Sequence, residues 1–407
     1  MSIAIQNRSR VHRHGRAAAA LLTLLAAGCQ PPARSHESSA PTRAPGGSAP
    51  VTVTVPTAPI PVRAAGSTVL VYELHIANAG TRPLRLERVE VRASSNPQSA
   101  IVTYDRRAIA NDVKFLAPRG APLPKALDPG VQAIVYLWIA LDSAAGVPSA
   151  LSHHIVFADG DTAPTSPIPV GRGSDLVFAP PIGEGDWWIG LGPSNTSEHR
   201  RSVLRVGDDT VPHLAQRFAI DWVKMDARGE YARDHNGRAN TDWYGYGEPV
   251  KAVADARVAG IVDGIPDNVP GENSRAVAMT VGTVLGNSVL LDLGRGTGAM
   301  HRYALYGHLK PGTIQVRAGD RVVRGQLLGN IGNSGNSDGP HLHFHVTEAP
   351  DDASAPLRSE GIPFVIDAFS VVAHDPDRVS QKAALTPLGA QRLALPVEGD
   401  VIRLGPP

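Results

Sequence analysis

Three histidines alternate with apolar residues along Gly339–Val346, GPHLHFHV. As a strand, this stretch sends His341, His343 and His345 to one face and Leu342, Phe344 and Val346 to the other, because the side-chain period is two. Neighbouring histidines then stand about 6.5–7 Å apart, so one imidazole can bind a metal ion while the next reaches a water on that ion. Alone, the pattern describes a histidine-rich exposed strand face equally well. Its surroundings give it weight. Gly319-Asp320-Arg-Val-Val-Arg-Gly325-Gln326-Leu-Leu-Gly329 and Gly332-Asn-Ser-Gly335 supply glycines for tight turns that lead short strands into the histidine strand. Before them lie Gly247-Glu-Pro-Val-Lys-Ala, Gly286-Asn-Ser-Val and Tyr306-Gly-His308-Leu.

This ordered series resembles the LytM/lysostaphin family of zinc endopeptidases, whose corresponding pieces read G-x-P-V-x-A, G-N-x-V, Y-x-H-L, G-D-x-V-x-x-G-Q-x-[IL]-G and G-P-H-L-H-F-E. The likeness runs over about residues 177–370. It implies that His343 is a zinc ligand, that His341 handles the proton of the attacking water, and that His308 orients water or stabilises an oxyanion. His345 stands where the family commonly has Glu and receives no role. The family's first ligands come as H-x-G-x-D; the matching stretch is Arg217-Phe-Ala-Ile-Asp221. Asp221 is the expected carboxylate ligand, whereas Arg217 occupies the histidine's place, and a guanidinium has no lone pair to give. A substitute can come from across a turn. If the chain folds back over Gly207-Asp-Asp-Thr, His199 lies opposite residues 216–218. His213 is the weaker alternative, since eight residues of regular strand set it about 26 Å from Asp221. Two histidines and one aspartate leave a fourth position open, as a catalytic zinc needs. No Ser-His-Asp or Cys-His arrangement is called for, and an H-E-x-x-H helix is absent from the sequence.

The elements that must position these residues read as all-β. With 407 residues the chain holds two domains; Gly 41 and Pro 35 with only 5% aromatics suit short strands joined by turns, and 42% hydrophobic residues argue against disorder throughout. Between residues 51 and 172, Thr68–Asn78, Leu84–Val91, Ala133–Leu141 and His153–Phe157 read as strands separated by turn clusters. They predict an immunoglobulin-like antiparallel β-sandwich acting as a spacer or docking module. Its His75, His153 and His154 read as strand-surface or core histidines, not ligands. Residues 173–375 are expected to form the LytM-type antiparallel β-sheet domain, and 376–407 a C-terminal tail. Two stretches, 222–247 with Trp243, Tyr244 and Tyr246, and 265–285 with Asp267, Asn268 and Asn273, are long for that fold; they line a substrate groove or are plain surface loops.

Residues 1–28 carry Arg8, Arg10, Arg13 and Arg16 and no acid, followed by an 11-residue apolar run, Ala17–Ala27. That run is too short to span a bilayer and suits a signal peptide. It ends in Leu-Ala-Ala-Gly-Cys29, which resembles a bacterial lipobox, with Cys29, the chain's single cysteine, as the lipidated residue. Gln30 after it implies, by the same resemblance, the periplasmic face of the outer membrane in a Gram-negative envelope. Residues 30–50 read as a flexible linker. Without its first 28 residues the chain has 35 basic and 38 acidic residues, which gives no support for nucleic-acid binding.

The expected function is therefore a zinc-dependent endopeptidase acting on peptidoglycan stems or cross-bridges, held at the membrane by its N-terminal lipid. The alternative is a degenerate LytM-type lipoprotein that binds the cell wall or activates an amidase partner.

Overall fold

A computed structural model of the chain describes residues 48–116, 122, 124, 126–204, 212–233, 237–350, 357–374 and 388–405. The expected export signal, Cys29 and residues 30–47 of the expected linker lie outside these. The described residues are almost all β. Ser48 already bridges Thr162 and Ala49 is buried, so the first fold begins three residues before the expected residue 51.

The first domain is a two-layer β-sandwich. One sheet runs in the order Val51–Thr54, Ser67–Asn78, Gln132–Leu141, Val113–Leu116, with Pro61–Ala64 also paired to Ser67–Asn78. The other runs Ile168–Pro169, Ala150–Phe157, Leu86–Ala93, Ala100–Asp105, with Thr162–Pro164 on Ala150–Phe157. Strand alternation explains the packing. Leu70, Tyr72, Leu74 and Ile76 face the opposite sheet and meet Val89, Val91, Ile155 and Phe157 in one core. His153 is buried and bonded to the Tyr72 hydroxyl at 2.8 Å, His75 is buried, and His154 lies 3.6 Å from Glu90.

The reverse face of Ser67–Asn78 does not meet water. Val69 and Val71 belong to the core of the second domain. A strand apolar on both faces is one covered on both. The expected spacer thus shares its packing with the second domain.

The second domain is built on a twelve-stranded sheet. Its path runs Val177–Phe178, Val365–Ala373, Val401–Leu404, Gly185–Ile189, Ile220–Met225, Leu342–Pro350, Met300–Leu309, Asn287–Arg295, Ala256–Val262, Arg321–Val322. Leu342, Phe344 and Val346 face the core with Trp187, Trp222 and Tyr306, which leaves the histidine face of the same strand for chemistry. The final segment is not a tail where it is described. Val401–Leu404 inserts between Val365–Ala373 and Gly185–Ile189, Gly389–Ala394 pairs with Val365–Ala373, and Ala394, Leu395, Ile402 and Leu404 join the core. Apolar burial holds it there.

Candidate functional site

Strand register puts two of the expected residues side by side. Ile220–Met225 pairs with Leu342–Pro350 so that Asp221 lies directly opposite His343. His343 Nδ1 is 2.9 Å from Asp221 Oδ1, and both residues are 2% exposed. The second carboxylate oxygen faces two other imidazoles: His199 Nε2 at 3.3 Å and His341 Nε2 at 3.5 Å. His199 and His343 rings meet edge-to-face at 4.7 Å. On the next strand, His308 follows Gly307, which pairs with His343, and its ring centre lies 4.9 Å from that of His341 and 5.7 Å from that of His343.

His199 arrives differently from the expectation. The chain does fold back, with Leu204 bridging His213 antiparallel, but His199 stands on a single helical turn, Glu198–Arg201, ahead of that bridge. His213 turns away from the cluster, its Nδ1 3.6 Å from Glu360. Arg217 leaves the cluster too. Its Nε donates to Glu73 at 2.7 Å, one terminal nitrogen to the Gly361 carbonyl and the other to Glu360, each at 2.6 Å. The place opened by the missing histidine is thereby left to His199.

Backbone carbonyls fix the tautomers of two histidines. His341 Nδ1 donates to the Gly339 carbonyl at 2.8 Å, and His308 Nδ1 donates to the Ser334 carbonyl at 2.8 Å. A neutral imidazole that donates from Nδ1 keeps its lone pair on Nε2. His308 has φ 61°, a left-handed backbone uncommon outside glycine and costly by on the order of 1 kcal/mol, so its surroundings impose the conformation. His345, given no role from sequence, places its Nδ1 2.8 Å from His343 Nε2. Same-face alternation was the signal that placed it there.

Electrostatics follow from burial and from the single carboxylate. Burial would raise Asp221, but His199 and His341 beside it hold its carboxyl well below the usual range. Burial pushes His343 down to about 4 and holds His308 and His345 well below the ordinary imidazole value. Burial is the largest influence on His341 and works the same way, yet the charge and hydrogen bonding of Asp221, the Gly339 carbonyl and the Asp338 charge together outweigh it and raise that imidazole above its ordinary value.

These groups fit a divalent cation. Ligand atoms of His199, Asp221 and His343 all lie within 4.8 Å of one another, in a buried cluster. Among the described residues, His199 Nδ1 and His341 Nε2 are buried without a hydrogen-bond partner. Two neutral imidazoles and one carboxylate are the donor set of a catalytic zinc site with one open position. A cavity of about 270 Å³ opens over the cluster, walled by Leu191, Leu204, Val284, Leu285 and Leu357.

The two long stretches act mainly behind the site. Val284 and Leu285 of 265–285 line this cavity, and among the described residues none from 222–247 does. Trp243 is buried, stacks on Tyr231 at 4.7 Å and fills the space a Cβ on Gly339 would take. Tyr246 donates to Asp267 at 2.8 Å, and the Asn268 amide donates to the carbonyls of Gly335 and Ser337 at 2.7 and 2.9 Å. Together they brace the turn that carries Ser334 and Gly339, the acceptors for His308 and His341.

Residues 240–356 match the family described as peptidase family M23. Among solved structures, the chain is similar to a mutant catalytic domain of the prophage-encoded M23 protein EnpA from Enterococcus faecalis, at 18% identity over 47% of this chain and 89% of that one, TM-score 0.22. It is similar to the catalytic domain of the antimicrobial peptidase lysostaphin from Staphylococcus simulans, at 20% identity over 44% and 88%, TM-score 0.21. It is also similar to a zinc-containing peptidase from Vibrio cholerae, at 15% identity over 76% and 83%, TM-score 0.25. No curated protein matches the chain. His308, His341 and His343 fall inside the matched segment, and His199 and Asp221 precede it. The likeness to peptidase family M23 is thus carried by residues 240–356.

Proposed function

We propose that this chain is a zinc-dependent endopeptidase that hydrolyses peptide bonds in the stems or cross-bridges of peptidoglycan. The observation that carries the reading is the meeting of His199, Asp221 and His343 within 4.8 Å, with His341 and His308 on the same side. His199, Asp221 and His343 would hold the metal. Zinc bound by such a set supplies Lewis acidity towards a carbonyl oxygen and makes water acidic enough to react near pH 7. His341, locked by Gly339 with Nε2 towards Asp221, takes a proton from the attacking water and returns it to the departing amine. His308, locked by Ser334, offers its Nε2 lone pair to a water O–H and so orients it. Leu191, Leu204, Val284, Leu285 and Leu357 share the wall of the cavity over the cluster with Ser202, Gln216 and Asn336.

The export signal and Cys29 support an envelope location, with the lipid in the membrane and peptidoglycan within reach. The second reading, a wall-binding or amidase-activating relative without activity, had its support in Arg217. Its engagement by Glu73, away from Asp221, weighs for the enzyme. Incubating the purified chain with muropeptides and looking for new amine termini by mass spectrometry tests the proposal. Cleavage by the wild-type protein and none by His341→Ala is the expected result; intact muropeptides with zinc-loaded wild type favour the second reading.

A further inference from the structure

Helix Glu198–Arg201, which carries His199, has four residues and no side-chain cap. One turn of helix is not stable by itself, because nucleation is unfavourable and too few bonds follow it. Something outside the turn must hold it, and most of what does so belongs to the first domain. Arg200 is fully buried. Its Nε donates to Glu73 at 2.8 Å, and one terminal nitrogen donates to the carbonyls of Tyr72 and Leu137 at 2.9 and 3.0 Å. Arg201 donates to the Asn111 carbonyl at 2.6 Å, and Lys114 Nζ donates to the Arg201 carbonyl at 2.7 Å. Glu73 is the centre of this attachment. It lies on the face of Ser67–Asn78 that meets the second domain, 2% exposed, and its other oxygen accepts from Arg217 Nε at 2.7 Å. One carboxylate therefore fixes both the arginine that stands in the family's histidine position and the arginine next to the histidine that reaches the site instead.

We propose that Glu73 is a positioning residue for the metal site: through Arg200 it holds the Glu198–Arg201 turn so that His199 meets Asp221, and the first domain thereby completes the site of the second. This rests on the metal reading given above. A buried carboxylate facing two guanidinium groups forms charge-assisted bonds of fixed geometry, and removing it leaves the buried Arg200 without its anion, while Arg217 keeps Glu360. The turn then loses its anchor while Asp221 and His343, held by strand pairing, stay in place.

Zinc affinity of the full chain, measured by competition with a chromogenic chelator, tests this in four proteins: wild type, Glu73→Gln, Arg200→Lys and Val91→Ala. Val91 lies in the sandwich core away from these contacts, and its truncation controls for loss of stability alone. Glu73→Gln and Arg200→Lys are expected to bind zinc roughly tenfold or more weakly, the usual scale for a residue supporting a ligand, with faster hydrogen exchange at residues 198–201. Val91→Ala is expected to keep wild-type zinc affinity at a lowered Tm. Should Glu73→Gln fail to fold, Arg200→Lys decides, since a single ammonium cannot hold the Glu73 carboxylate and the Tyr72 and Leu137 carbonyls in the guanidinium's fixed geometry. Folded variants that hold zinc as tightly as wild type overturn the proposal and leave the metal reading standing. A wild-type chain that takes up no zinc overturns both.

Discussion

His199 and Asp221 meet at 3.3 Å, although one sits on a single helical turn and the other in the interior of a sheet. The carboxylate gives its other oxygen to His343 across a strand pair. The metal site proposed above thus draws one member from outside the sheet, held there from elsewhere.

His341 and His308 are assigned to proton handling, not to the metal. Replacing either by alanine should lower muropeptide hydrolysis by about 10²–10⁴-fold, the range of a general acid–base group, and leave zinc content at the wild-type level. Metal analysis of each purified variant beside its rate checks this; loss of zinc from either would make that histidine a ligand.

Gly335 holds the turn behind the site in a conformation that a side chain resists. Its φ is 73°, and an added Cβ would stand 2.3 Å from the Gly286 nitrogen. Gly335→Ala should destabilise the protein by more than about 1 kcal/mol, because strain and contact act together. Thermal unfolding reads the change, and an unaltered Tm would contradict the tight approach of the two glycines.

Away from the site, His153 makes stability depend on pH. Burial lowers its pKa from 6.5 to about 4. The unfolded chain therefore takes up the proton first, so the folded state keeps its full advantage above about 6.5 and loses it as pH falls towards about 4. The loss amounts to up to about 3 kcal/mol. His153→Gln should remove this part of the pH dependence, leaving a variant whose gap from wild type closes or reverses between pH 6.5 and 4 in denaturant titrations. A gap of constant size would refute it.

Much of this architecture was legible from residue order. The alternation in Gly339–Val346 set Leu342, Phe344 and Val346 on one face and the histidines on the other, and the first of these faces is the one that meets the core. The glycine-rich turns and Tyr306-Gly-His308 pointed to the M23 segment, because tight turns demand particular residues at particular places. What stayed hidden depends on distant partners. Nothing near Arg217 signals that Glu73, 144 positions away, receives it, or that the same carboxylate anchors Arg200. The hairpin argument brought His199 to the right neighbourhood on the wrong element, since a one-turn helix has too few residues to show a period. Val401–Leu404 gave no strand signal of its own; burial between two neighbouring strands makes it one.

The central claim is that His199, Asp221 and His343 hold one divalent ion. Zinc stoichiometry of the purified chain, after chelator stripping and reloading, tests it most directly in wild type, His199→Ala and His213→Ala. One zinc per chain in wild type and His213→Ala, and none retained by His199→Ala, is the expected result. Full zinc in His199→Ala, or its loss only in His213→Ala, would contradict the account.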